Sequence, residues 1–132
     1  MDVILTTCTA EKDQRREPVA AGLRYRGPRV DEARSLARER GLQLVFLSGV
    51  YGVLGEHEPV PWYDHALQPA EVEGLVGTVA EGLLSRGITG ITAVVRPRET
   101  PGWAPYHVLL EEGAAAARVV LRLRTAASAG TA

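Results

Sequence analysis

Leu42-Gln43-Leu44-Val45-Phe46-Leu47-Ser48-Gly49-Val50-Tyr51-Gly52 is the stretch that decides the fold. An almost continuous apolar run, Leu42 to Leu47, stops at a turn holding two glycines. Such a run reads as a strand buried on both faces, the pattern of a parallel sheet covered by helices. Upstream, Val30, Ala33, Leu36 and Ala37 recur at helical spacing with Arg and Glu opposite them. Pro28 near the start and Gly41 past the end punctuate this helix. Before it, residues 10–28 are polar and carry Pro18, Gly22, Gly27 and Pro28, which predicts a long loop. Val3-Ile4-Leu5, running into Thr6-Thr7-Cys8-Thr9, reads as a buried first strand.

Downstream, residues 53–68 read as a second irregular stretch. Pro69 then opens a second helix whose apolar stripe is Val72, Leu75, Val76, Val79, Leu83 and Leu84, closed by Gly87. Ile91 to Val95 is a third strand, and a third helix covers about Ala104 to Ala117 with Tyr106, Leu109, Leu110 and Ala114 inward. Val119 to Leu123 is a fourth strand. Strands alternating with helices imply parallel pairing and right-handed crossovers. The expectation is one α/β domain over residues 1–124, three-layered and Rossmann-like, with a mostly parallel four-stranded sheet. Thr125 to Ala132 reads as a disordered C-terminal tail of small residues. Ligands of such sheets bind beyond the carboxyl ends of the strands, at the switch in strand order. Both long loops leave carboxyl ends.

The chain has 132 residues, 45% of them hydrophobic, which suits one globular core. Its 15 basic and 16 acidic side chains leave a net charge of −1. That balance disfavours nucleic acid, which a protein grips with surplus positive charge. No apolar stretch approaches a bilayer span. Met1-Asp2-Val3 leads into the first strand with no basic leader, so the expected compartment is the cytoplasm and no membrane partner is expected. A single cysteine makes no internal disulfide and offers no thiolate cluster, so neither a metal nor a cofactor is expected. Oligomeric state is not legible. Of the basic residues only Lys12 is lysine; a chain that uses arginine everywhere else keeps lysine where arginine does not serve.

Cys8 ends the first strand and Lys12 follows four residues later. A thiolate beside an ammonium is a better nucleophile. The plainer alternative is a small buried hydrophobe at a strand end, and for Lys12 a solvated surface lysine or a point charge for a phosphate. Thr7 and Thr9 add hydroxyls, and backbone amides there can form an anion nest. Ser48, Gly49, Tyr51 and Gly52 form the turn after the second strand, where glycine permits close approach to a ligand; the alternative is a plain tight turn. Trp62-Tyr63-Asp64-His65 places two aromatics, a carboxylate and an imidazole in one loop. The aromatics can stack on a base, and Asp64 can bind a ribose hydroxyl or act as general base. Equally, they can plug the sheet edge while Asp64 caps a turn. Arg96 leaves the third strand at the same edge. His57 and His107 show no metal-ligand spacing.

Cys8-Thr9-Ala10-Glu11-Lys12 resembles the Cys-x-x-x-Lys after the first strand of the DUF6884 family. Tyr25-Arg26-Gly27-Pro28 is similar to that family's approach to its first helix. Leu47-Ser48-Gly49-Val50-Tyr51-Gly52-Val53-Leu54 resembles the corresponding turn of the YaaA peroxide-stress proteins, and Pro61-Trp62-Tyr63-Asp64 their following Pro-Tyr element. The likeness covers about residues 3–67. It implies nucleotide or nucleic-acid metabolism with Cys8, Lys12, Asp64, Tyr25, Ser48, Tyr51, Gly52 and Tyr63 at the site, and Tyr106 as a further tyrosine of that site. The expected function is a small enzyme on a nucleobase, nucleoside or nucleotide-like substrate, with Cys8, Lys12 and Asp64 catalytic and glycosidic-bond cleavage or transfer tested first. The alternatives are a non-catalytic YaaA-like DNA- or nucleotide-binding stress protein and a reactive-cysteine sensor.

Overall fold

The computed structural model describes residues 1–126. The remainder of the expected tail, 127–132, lies outside the described residues. Thr125 belongs to the last strand and Ala126 is buried.

The elements run β1 (Asp2–Thr7), β2 (Val19–Ala20), α1 (Ala21–Arg24), α2 (Pro28–Arg40), β3 (Gln43–Ser48), β4 (Gly52–Gly55) and β5 (Pro59–Val60). A 3-10 turn (Pro69–Glu71) leads into α3 (Val72–Ser85), followed by β6 (Gly90–Val95), α4 (Ala104–Ala117) and β7 (Val120–Thr125). The central sheet has the order β4-β3-β1-β6-β7. β1 pairs in parallel with β3 and β6, and β6 with β7. The sheet therefore has five strands where the sequence pattern predicts four. The fifth is β4, which turns back after residues 49–51 and pairs antiparallel with β3, Leu47 opposite Val53 and Ser48 opposite Gly52. Gly52 at φ +76° takes the left-handed conformation that this reversal needs. β4 is four residues long with a glycine at each end, too short to carry a periodic signal of its own.

The two stretches expected to be irregular are also tied together. Val19–Ala20 pairs antiparallel with Pro59–Val60 as a second, two-stranded sheet, and Lys12 bridges Tyr25. Three of the expected strands shift at their ends by only a residue or two, because the apolar runs themselves set them: Val3, Ile4, Leu5, Phe46, Leu47, Ala93 and Val94 are all buried. Burying each of the larger of these side chains contributes about 1.5–3 kcal/mol. One stripe residue departs from expectation: Leu84 is 61% exposed, because α3 packs through Val72, Val79 and Leu83.

β1 connects through α2 to β3 on one side, whereas β6 connects through α4 to β7 on the other. Right-handed crossovers running in opposite directions place α2 on one face and α4 on the other. α3 lies beside α4, where Gly113 faces Val79. β1 and β6 are neighbours whose following segments leave to opposite faces, and a crevice opens between their carboxyl ends. Among the described residues, no helix is long and apolar enough to cross a membrane.

Candidate functional site

A cavity of about 110 Å³ occupies that crevice, lined by Cys8, Thr9, Lys12, Asp64, His65 and Tyr106, among others. Cys8, Thr9 and Lys12 follow β1; Tyr106 sits in the first turn of α4; Asp64 and His65 come from the loop after β5. An open groove of about 560 Å³ adjoins it, lined by Gly49, Val50, Tyr63, Glu71 and Leu75 and sharing Asp64 and His65 with the cavity. The segment 64–66 thus runs between an enclosed space and an open one.

Cys8 is buried, and its Sγ lies 3.6 Å from the Tyr106 hydroxyl. That hydroxyl also accepts the Leu67 N–H at 3.1 Å. Lys12 is no surface lysine: only 8% of it is exposed. Its ammonium donates to the Thr9 carbonyl and lies 5.1 Å from the Tyr63 ring centroid. Burial pushes the Lys12 ammonium below its ordinary range, while the neighbouring Cys8 and Asp64 pull it back up. Asp64 is exposed at the cavity's mouth.

Tyr63 anchors this loop. Its hydroxyl sits 2.6 Å from that of Tyr25 and 2.9 Å from Ser48 Oγ. Ser48 Oγ in turn accepts the N–H groups of Val50 and Tyr51, at 3.0 and 3.1 Å. Burial raises the Tyr25 phenol to about 12, and pushes the Tyr63 and Tyr106 phenols upward as well. All three are neutral hydroxyls at physiological pH. At the far end of the loop, Leu67 presses on the turn: a Cβ on Gly49 would lie 2.9 Å from Leu67 Cβ.

Other residues singled out from the sequence lie apart. Trp62 stacks on the Arg16 guanidinium at 4.8 Å, and Tyr51, 39% exposed, meets Tyr63 edge-on at 5.4 Å. Arg96 is half-buried, with its carbonyl bonded to His107 Nε2 at 2.8 Å. None of the three lines the cavity or the groove. Thr7 is enclosed in the sheet, its hydroxyl on the Cys8 carbonyl at 3.2 Å, and Gly52 serves the reversal into β4. A larger hollow, about 720 Å³, lies at the opposite end of the sheet near Met1, Gln43, His57 and Arg86. Both of its carboxylates are already engaged: Glu58 with Arg86 inside it, and Glu56 with Arg34 outside it. Among the described residues, no three His, Cys, Asp or Glu side chains converge to hold a metal.

Sequence reasoning missed two buried arginines and gave the imidazole of His65 no role. Arg24, fully buried, donates five hydrogen bonds to the carbonyls of Asp13, Arg15, Glu17 and Val60. Arg29 lies 4.7 Å from the Trp103 ring and donates to Thr6 Oγ1 at 2.6 Å and the Thr7 carbonyl at 3.1 Å. Burial lowers its guanidinium to about 10. These two fix the end of β1 and the loop beyond it. His65 joins the cavity wall, and its Nε2 contacts both Glu71 carboxylate oxygens at 2.9 Å. No family model, curated protein or solved structure matches this chain.

Proposed function

We propose that the chain is a small enzyme acting on a nucleobase, nucleoside or nucleotide-like substrate in the cytoplasm, at the carboxyl edge of the sheet. One observation carries this reading: Cys8, Lys12, Asp64 and Tyr106, from three separate segments, line one cavity between β1 and β6. In a Rossmann-like sheet that is the switch point where ligands bind. At about 110 Å³ the cavity suits one compact group, a base or a sugar, rather than a whole nucleotide. The adjoining groove then takes the rest of the molecule past Asp64 and His65. The likeness of the Cys8–Lys12, Ser48–Gly52 and Tyr63–Asp64 elements to YaaA and DUF6884 proteins points the same way.

In this reading Lys12 and the Thr9 segment hold the polar or anionic part. Lys12 keeps N–H donors beyond the one spent on the Thr9 carbonyl. The exposed Asp64 carboxylate stabilises positive charge that develops at a sugar carbon as a glycosidic bond opens. Tyr63 lines the groove. Trp62 and Tyr51 line neither space and are given no part. Cleavage or transfer at an N-glycosidic bond is the reaction to test first.

Incubating the protein with a library of nucleobases, nucleosides and nucleotides, read by mass spectrometry, should reveal turnover. Lys12→Ala and Asp64→Ala should each lower it at least about a hundredfold, the scale of a lost charge-stabilising or acid–base group, with thermal melts showing both variants folded. An inert wild type overturns the reading, as does turnover surviving both substitutions. A DNA mobility shift without any turnover favours a YaaA-like binding protein instead.

A further inference from the structure

His65 shares its cavity with a buried thiol, Cys8, and contacts a fixed carboxylate, Glu71, two groups that the proposed reaction leaves unused. Glu71 accepts the Gln68 N–H at 2.8 Å while both its oxygens contact His65 Nε2 at 2.9 Å. The Gln68 N–H and the His65 ring both hold the Glu71 carboxyl below the usual carboxylate range. A carboxylate only accepts hydrogen bonds, so in the neutral ring Nε2 carries the proton and Nδ1 keeps the lone pair. The ring is thereby set as a base, and it lines the same small cavity as Cys8.

We propose that Cys8, His65 and Glu71 act as nucleophile, general base and orienting carboxylate. The proposal deepens the reading above, and rests on it for its substrate: a carbon that bears a nitrogen leaving group, such as the anomeric carbon of a nucleoside. His65 Nδ1 takes the Cys8 thiol proton. The sulfur forms a bond to carbon as the carbon–nitrogen bond breaks, and the departing base leaves with the electron pair and takes the proton from His65. Water then gives a proton to His65, its oxygen bonds the same carbon, and the carbon–sulfur bond breaks. The electron pair returns to Sγ, which takes back the proton. Tyr106, 3.6 Å from Sγ, can turn its O–H toward the thiolate.

Charged and titratable groups from three segments face His65. Glu71 from the 3-10 turn contacts the ring, and Asp64 from its own loop and Lys12 from the β1 loop line the same cavity. Cys8, Tyr63 and Tyr106 complete the surroundings.

Cys8 is the only cysteine, so alkylation of the full chain by iodoacetamide reports on it alone by intact mass. At about pH 7 His65→Gln should label at least about tenfold more slowly than wild type, with Glu71→Gln intermediate. At about pH 10, where thiols ionise unaided, the three rates should converge. Equal rates near neutrality overturn the proposal. So does a wild-type Cys8 that iodoacetamide reaches at no pH, and so does a His65→Gln deficit that persists unchanged in alkali, which marks altered access. If labelling depends on His65 but no nucleoside turns over, the substrate reading falls and the triad stands; the reverse pattern removes the triad alone.

Discussion

Arg24→Met offers the sharpest test of how this site is held in place. The guanidinium has no solvent exposure and serves four carbonyls. Methionine keeps an apolar stem of similar reach and removes every donor. The carbonyls of Asp13 and Val60 are buried, so each loses its partner without gaining water, at about 1–3 kcal/mol apiece. Those of Arg15 and Glu17 are only partly buried and recover hydration. Relief of a buried charge offsets some of the loss. The expected net cost is about 3 kcal/mol, read as a drop in unfolding free energy from urea denaturation. A local readout accompanies it. Arg24 fastens the 13–17 segment next to Lys12, so trypsin should cut native Arg24→Met after Arg15 or Arg16 faster than wild type. A cost under about 1 kcal/mol with unchanged cleavage would refute the reasoning, by showing that the freed carbonyls find water.

Other expectations follow from the same geometry. Gly49→Ala should destabilise by about 1–3 kcal/mol, because the new methyl meets Leu67 Cβ at 2.9 Å and main-chain atoms must shift; it should also lower any turnover, since Leu67 anchors the loop carrying Asp64, and equal urea midpoints would refute it. Stability should fall in alkali. Burial raises the folded-state Tyr25 phenol from 10 to about 12, so the unfolded chain ionises first, and this contribution is intact below about pH 10 and lost as pH rises toward 12. Tyr25→Phe should flatten that decline in urea midpoints; an unchanged slope would contradict it.

The architecture was legible because its signals are continuous. The apolar runs at 3–5, 42–47 and 91–95 state strands buried on both faces, and Pro28, Gly41 and Gly87 mark helix ends that the structure keeps, whereas Pro69 opens the 3-10 turn ahead of α3. β4 was not legible, since Val53-Leu54 is too brief to separate from an irregular stretch. Neither was the two-stranded sheet, whose two-residue strands acquire meaning only when residues 19–20 meet residues 59–60. The site divides in the same way. That Cys8 and Lys12 sit at the carboxyl edge followed from topology, whereas the return of Asp64 to it did not, because antiparallel β4 first carries the chain back to the opposite end of the sheet, where His57 lies. The fate of Trp62 did not follow, since nothing local tells an aromatic whether it faces a cavity or the nearby Arg16. Arg24 and Arg29 were hidden for a related reason: arginine is read as a surface residue until a cage of carbonyls is assembled around it.

Three tyrosine hydroxyls explain how so short a loop can serve a cavity. Tyr63 is pinned by Tyr25 and Ser48, and Leu67 by the hydroxyl of Tyr106. Only three residues, Asp64, His65 and Ala66, remain between the anchors, and they are exposed. Fixing a loop at both ends restricts the side chains between them, and the entropy lost is spent in folding rather than at the moment of binding. The same phenols keep the anchors free of charge. Ionised tyrosines would repel one another and Cys8, so burial that raises Tyr25, Tyr63 and Tyr106 together keeps the clamp neutral. A polar edge can then close over Lys12 while its own ammonium remains the principal cation inside the cavity wall. The serine and the tyrosines that mark this chain in sequence thus act chiefly as scaffolding, beside a cavity that Cys8, Lys12, Asp64 and His65 line together.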